Sequence, residues 1–128
     1  MTAAKTRQAR YKDGHRAESI AVWILRMKGY RVLERRFKTP VGEIDIIARK
    51  KTIIVFVEVK SRADVEAGLY AITDRAKRRI CRAADYFRAT SSVQNTPQKQ
   101  DGQRYRFDVI IISLPRFRHI SNAWDYFV

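Results

Sequence analysis

Residues 42–60 read GEIDIIARKKTIIVFVEVK. Two strand-like apolar runs here carry Glu43, Asp45, Glu58 and Lys60 among Ile, Val and Phe. Charged side chains are rarely buried without partners, so their presence in so apolar a stretch requires a reason. Side chains alternate along a strand, so Glu43, Asp45 and Ile47 are expected on one face and Ile44, Ile46 and Ala48 on the other. In the next strand Ile54, Phe56, Glu58 and Lys60 share a face. A hairpin turning at Lys50-Lys51 sets Glu43 opposite Glu58 and Asp45 opposite Phe56, which leaves Asp45 and Glu58 as diagonal neighbours with Cβ atoms roughly 7 Å apart. Lys-Lys is poor chemistry for a tight turn, so a longer loop of the same parity is predicted.

Carboxylates that converge on one face carry a cost. At about 5 Å, with an effective dielectric of about 20, two negative charges repel by roughly 3 kcal/mol. One lysine offsets part of that. A hard divalent cation with oxygen ligands, Mg²⁺ or Mn²⁺, resolves the remainder. The competing reading is a structural salt-bridge network of Glu43, Asp45, Glu58, Lys60 and Arg62.

Upstream, Ile20, Trp23, Ile24 and Met27 recur at helical spacing within Ala17–Lys28, and Gly29 supplies a stop. That stripe is expected to face the core. Glu18 falls beside Val22 and Leu25 on the helical wheel, so it faces protein; alternatively it is a helix-start carboxylate favoured by the dipole. Tyr30–Phe37 has strand-forming composition, and Pro40-Val41-Gly42 separates it from the next strand.

Downstream, residues 73–89 form a second helix with Ala76, Ile80, Ala83 and Phe87 on its apolar face. Arg75, Arg78, Arg79 and Arg82 fall on the far side as one basic ridge, either a solvated face or a phosphate-binding one. Lys77 flanks the core side of the same helix. Ser91–Gln103 is polar and reads as a loop. Arg104–Ser113 alternates and then becomes a run of Ile, as suits a last strand. The terminal Ala123-Trp124-Asp125-Tyr126-Phe127 packs on the core or forms a homodimer contact.

The chain has 128 residues, near the usual size of one domain, and can bury roughly two-thirds of its unfolded surface. Residues 1–16 are expected to be a flexible basic arm, and 17–128 a single folded domain. Neither a membrane span nor a signal-peptide core is present, which predicts a soluble cytoplasmic protein with no membrane partner. Cys81 is the sole cysteine, excluding an internal disulfide or a cysteine zinc cluster. Twenty-seven Lys and Arg against 13 Asp and Glu leave a net charge of +14, which favours nucleic acid as the partner.

An acid on the first helix, then Asp45, then Glu58-Val59-Lys60, resembles the PD-(D/E)xK pattern of the restriction-endonuclease-like superfamily. More specifically, AESIAVWILRMKGYRVLERRF, GEIDIIARKKTIIVFVEVKSR, the helix containing Lys77 and RYRFDVII, in that order, resemble the YraN-like family of small bacterial proteins. The resemblance covers roughly residues 14–113. It implies an α/β fold with a restriction endonuclease-like αβββαβ core, a central mixed β-sheet flanked by α-helices. It also implies a metal-dependent nuclease acting on DNA, branched or damaged substrates included, or a non-catalytic nucleic-acid-binding module on the same fold. Residue by residue, it makes Asp45 and Glu58 metal ligands, with the Val59 carbonyl as a third. Lys60 orients or activates water and stabilises developing charge on phosphorus, and Glu18 is the helix acid of resolvase-like members. Ile44 precedes Asp45 where the nominal motif has proline. Glu43 is an additional acid, and Arg75, Lys77, Arg78, Arg79 and Arg82 are the nucleic-acid-binding set.

Overall fold

The computed structural model describes residues 3–90 and 103–126. Helix α1 (Ala3–Met27) is followed by strands β1 (Arg31–Thr39), β2 (Gly42–Lys50) and β3 (Ile53–Ser61). Helices α2 (Val65–Tyr70) and α3 (Asp74–Thr90) then lead to β4 (Arg104–Ser113) and β5 (Arg116–Trp124). The strands form one sheet in sequential order. Every neighbouring pair is antiparallel except β3 and β4, which run parallel and are joined through α2 and α3. The α/β class and the αβββαβ core thus hold, with α2 and β5 added.

The sheet is covered on both faces. On one side α1 packs Ala17, Ala21, Ile24 and Leu25 against Ile46, Val55, Val57 and Ile110. On the other, Ile80, Ala83, Ala84 and Phe87 of α3 meet Ile44, Ile47, Phe56 and Phe107. Phe87 stands edge-on to Phe56 at 5.9 Å between ring centroids, an arrangement favoured by the ring quadrupoles. Each such fully buried side chain contributes about 1.5–3 kcal/mol of apolar burial.

Four expectations are corrected. First, α1 begins at Ala3 and not at Ala17. The Ala, Lys, Arg and Gln of residues 3–12 are good helix formers. The helix ends as expected: Gly29 has φ +92, and Tyr30 N–H donates to the Leu25 carbonyl at 2.9 Å. Second, the stripe of α1 facing the core is rotated. Ile24 is buried, but Trp23 is 65% and Met27 85% exposed, because the small Ala17 and Ala21 let the helix approach the sheet with that side inward. Glu18 does face protein, beside buried Val22 and Leu25.

Third, the β2–β3 register differs by one step of the same parity. Ile47 pairs with Phe56 and Lys50 with Ile53, so the turn is the two residues Lys51-Thr52, with Lys51 at φ +55. The tight turn forms despite its residues because the apolar register of two strands with buried centres outweighs a residue's penalty in the left-handed region. Fourth, β4 is not the last strand: β5 pairs with it, while the tail packs on the core as one of its two readings had it, Trp124 stacking on Phe107 at 5.2 Å. Of the expected loop Ser91–Gln103, all but Gln103 lies outside the described residues, as does Phe127.

Candidate active site

The alternation of β2 breaks at Asp45. Ile44 joins the α3-side core together with Ile47, whereas Ile46 and Ala48 join the α1-side core. Ile44 and Ile46 therefore lie on opposite faces, contrary to strict alternation. Arg36, in the neighbouring stretch of β1, has φ +51. Backbone pairing of β2 with β3 begins at Ile46–Val57, and beyond it Val59 N–H donates to Asp45 Oδ2 at 2.8 Å. A carboxylate thus stands where the ladder would have continued. Extending the register by one step sets Asp45 level with Glu58, directly opposite and not diagonal.

The two acids interact directly. Burial raises the Asp45 carboxyl above its usual range, against the lowering effect of the Val59 hydrogen bond; Glu18 and Glu43 add to the rise and Lys60 opposes it. Burial likewise raises Glu58 to about 7, reinforced by Asp45 and opposed by Lys60. Lys60 Nζ lies 3.3 Å from Glu58 Oε1. Desolvation and like charge outweigh the lysine at both carboxyls, the signature of a site short of positive charge.

Glu18 is buried at 6% exposure and held by two guanidinium groups, Arg35 Nε at 3.3 Å and Arg36 Nε at 2.9 Å. It acts on Asp45 electrostatically from the α1 side. Glu43 is exposed. The alternative network through Arg62 is not what forms: Arg62 Nη1 donates to the Ser61 carbonyl at 2.7 Å. Among the described residues no three His, Cys, Asp or Glu side chains cluster as a metal cage. Asp45 and Glu58 remain as a pair of oxygen donors.

Arg75, Arg78, Arg79 and Arg82 are exposed and, with Val41, line one depression. A side chain at Gly42 would place its Cβ 2.7 Å from the Arg79 carbonyl oxygen, so glycine there lets β2 start directly against α3. The ridge is thereby anchored three residues before Asp45. Lys77 is turned elsewhere, 3.8 Å from Asp74 and 5.9 Å from the Trp124 ring centroid. No helix among the described residues is long and apolar enough to cross a membrane.

A family model described as "Uncharacterised protein family UPF0102" matches residues 17–112, which include the site residues from Glu18 through the arginine ridge. The chain belongs to the UPF0102 family. A UPF0102 protein of Bradyrhizobium sp. (strain BTAi1) is 44% identical over 126 residues, spanning 96% of this chain and 87% of the relative. One from Rhodopseudomonas palustris (strain BisA53) is 42% identical over 125 residues, spanning 95% and 90%. A third, from Parvibaculum lavamentivorans (strain DS-1), is 43% identical over 117 residues, spanning 91% and 84%. The UPF0102 match thus agrees with the YraN-like resemblance.

One charged cluster escaped sequence reasoning. Asp108 is fully buried and accepts hydrogen bonds from Arg106 Nε and Nη2 at 2.8 Å, while His119 Nε2 lies 2.8 Å away. The signal was an Asp within the apolar run RYRFDVII, with Arg106 two residues earlier on the same face.

Proposed function

We propose that this UPF0102 protein is a metal-dependent nuclease of the PD-(D/E)xK type, hydrolysing DNA phosphodiester bonds at Asp45, Glu58 and Lys60. The observation that carries the reading is that Asp45 and Glu58 meet where β2 and β3 part, with Lys60 Nζ 3.3 Å from Glu58. Burial and like charge raise both carboxyls, which a divalent cation would relieve. Asp45 and Glu58 would hold Mg²⁺ or Mn²⁺, with the Val59 carbonyl as a further oxygen. Two protein carboxylates are sufficient for Mg²⁺, which keeps several of its waters. When bound, the ion supplies Lewis-acid polarisation of a phosphoryl oxygen and eases deprotonation of water.

The chain's own residues do the rest. The Lys60 ammonium, 3.3 Å from Glu58, donates to a non-bridging phosphoryl oxygen as charge develops there. Glu18, fixed by Arg35 and Arg36, orients the attacking water from the α1 side. The water oxygen forms a bond to phosphorus, its proton passes to solvent or a basic side chain, and the ester bond breaks with the leaving oxygen taking up a proton. Arg75, Arg78, Arg79 and Arg82 hold phosphates beside the site.

The alternative is a nucleic-acid-binding module without turnover. It is favoured by the double guanidinium pairing of Glu18, which already neutralises the helix acid. A cleavage screen on single-stranded, duplex, flap and junction DNA, with Mg²⁺, Mn²⁺ or chelator, separates the two. A nuclease cleaves with metal and loses cleavage in Lys60→Ala while keeping calorimetric Mn²⁺ affinity. Binding of these DNAs with no metal-dependent cleavage of any of them selects the module.

A further inference from the structure

On the α1 side, immediately beyond Lys60, lies a pocket of about 190 Å³. Its walls are Ala17, Ile20, Ile112 and Leu114. Its polar rim is Arg16, Ser61 and Arg62, and among the described residues no acid lines it. Ser61 pairs with Ile112 in the parallel β3–β4 ladder and Arg62 N–H donates to the Ile112 carbonyl at 3.2 Å, so the backbone at the pocket mouth is fixed to the strand that carries Lys60. Apolar walls under two guanidinium groups suit a ligand with a flat apolar face and a phosphate.

The same flank of α1 explains the residues that failed to enter the core. Arg16, Ile20, Trp23 and Met27 follow one another at spacings of three and four, so they form one strip along the helix. Ile20 belongs to the pocket wall, and Trp23 and Met27 continue outward from it with 65% and 85% exposure. An exposed indole beside a cationic pocket is a stacking platform for an unpaired base, because every base has a π-face whatever its identity. A duplex base has both faces already stacked and cannot use it.

We infer that this pocket and strip bind an unpaired, single-stranded stretch of nucleic acid, with a phosphate between Arg16 and Arg62 and a base on Trp23. The inference rests on the nuclease reading only in taking that strand as the substrate. The arginine ridge belongs to the α3 layer and the pocket to the α1 layer, with Asp45, Glu58 and Lys60 where β2 and β3 part. A substrate held by both grips carries its single-stranded portion past Lys60.

The test is binding of the full chain in chelator, so that turnover plays no part. Anisotropy is measured with a labelled blunt duplex and with the same duplex carrying a thymidine tail. The tailed DNA is expected to bind about tenfold more tightly. Trp23→Ala and Arg62→Ala should each remove most of that preference with duplex affinity retained, while Trp23→Phe, which can still stack, keeps it. Thymidine oligonucleotide should also quench the fluorescence of exposed Trp23 in the unmodified chain. Both positions are exposed, and melting curves of the variants verify folding. Equal affinity for the two DNAs, or a preference indifferent to Trp23→Ala, overturns the inference. So does equal affinity together with a dimer in sedimentation that Trp23→Ala dissolves, which would make the strip a contact between copies. Absence of cleavage with the tail preference intact removes the nuclease reading and leaves this one standing.

Discussion

The Asp45 carboxylate receives the Val59 N–H at 2.8 Å, at the point where β2 and β3 cease to pair. The bond satisfies a backbone donor that the parting strands would otherwise leave without its rung, and it fixes the direction of a charged side chain through the main chain. Its hydrogen bond lowers the Asp45 pKa, yet burial and the neighbouring acids raise it further. The acid is therefore held by geometry and opposed by electrostatics.

Asp45→Asn separates these contributions. Asn keeps an acceptor oxygen for Val59 N–H and removes the charge, so the metal-free protein should gain on the order of 1 kcal/mol. Asp45→Ala removes the acceptor as well and should lose about 1–3 kcal/mol by comparison with Asn. Mn²⁺ should raise the melting temperature of the unmodified protein and leave that of Asp45→Asn nearly unmoved. Melting curves in chelator and in metal give all three comparisons; an Asn variant less stable in chelator would make the acid structural.

Glu58 sets a pH dependence of unusual sign. Its folded pKa is raised from 4.5 to about 7, so between those values the folded protein holds a proton that the unfolded chain has released. Metal-free stability should therefore fall as pH rises from about 4.5 to about 7, by as much as a few kcal/mol. Below that window both states are protonated and above it both are ionised, so the curve flattens at each end. Glu58→Gln should reduce the slope to the part that the raised Asp45 carboxyl contributes. Denaturant melts across this range, in chelator, decide it: a flat profile for the unmodified chain would deny the raised carboxyl.

The acids could be read in the sequence because strand parity survives an error of register: the residues placed opposite each other were off by one step, yet Asp45 and Glu58 still came together. The break at Asp45 could not be read, since nothing in GEIDII marks the change of face between Ile44 and Ile46. Helical periodicity likewise found α1 but turned it wrongly. Two apolar stripes compete on that helix, and the smaller side chains of Ala17 and Ala21 pack closer to the sheet than Trp23 and Met27 can. The Arg35 and Arg36 clamp on Glu18 was hidden because it joins α1 to β1 through residues that, alone, look like an exposed basic strand.

The arginine ridge makes a quantitative prediction. If Arg75, Arg78, Arg79 and Arg82 each neutralise a phosphate, replacing all four by Ala should reduce the slope of log affinity against log salt by roughly 3–4. The loss should be similar for unrelated DNA sequences, because phosphate contacts carry no base information. Anisotropy over a range of KCl concentrations measures it. An unchanged slope would assign the ridge to solvent.

Asp108 bears on stability in the opposite pH direction. Burial alone would raise its carboxyl, but hydrogen bonds from His119, Arg106 and the Asn122 N–H outweigh that and hold it below its usual 3.8. His119 Nδ1 faces Lys28 Nζ at 2.8 Å, and its Nε2 faces Asp108 Oδ2 at 2.8 Å. One carboxylate thus ties β4 to β5 and, through His119, to the end of α1. A group with a lowered folded pKa contributes stability above its unfolded value and loses it as pH falls through the folded one. The Asp108 contribution should therefore disappear only below about pH 3.8, clear of the Glu58 window. Asp108→Asn should cost about 3–5 kcal/mol at neutral pH, because it leaves the Arg106 charge without its carboxylate and turns an amide donor toward others. It should also blunt the acid limb of unfolding, while Arg106→Met in the same background should recover part of the loss by removing the stranded charge. Denaturant melts of the three proteins at neutral pH and below pH 4 provide the comparison, and an Asn variant within about 1 kcal/mol of the unmodified chain would mean that β5 is held by Trp124 on Phe107 instead.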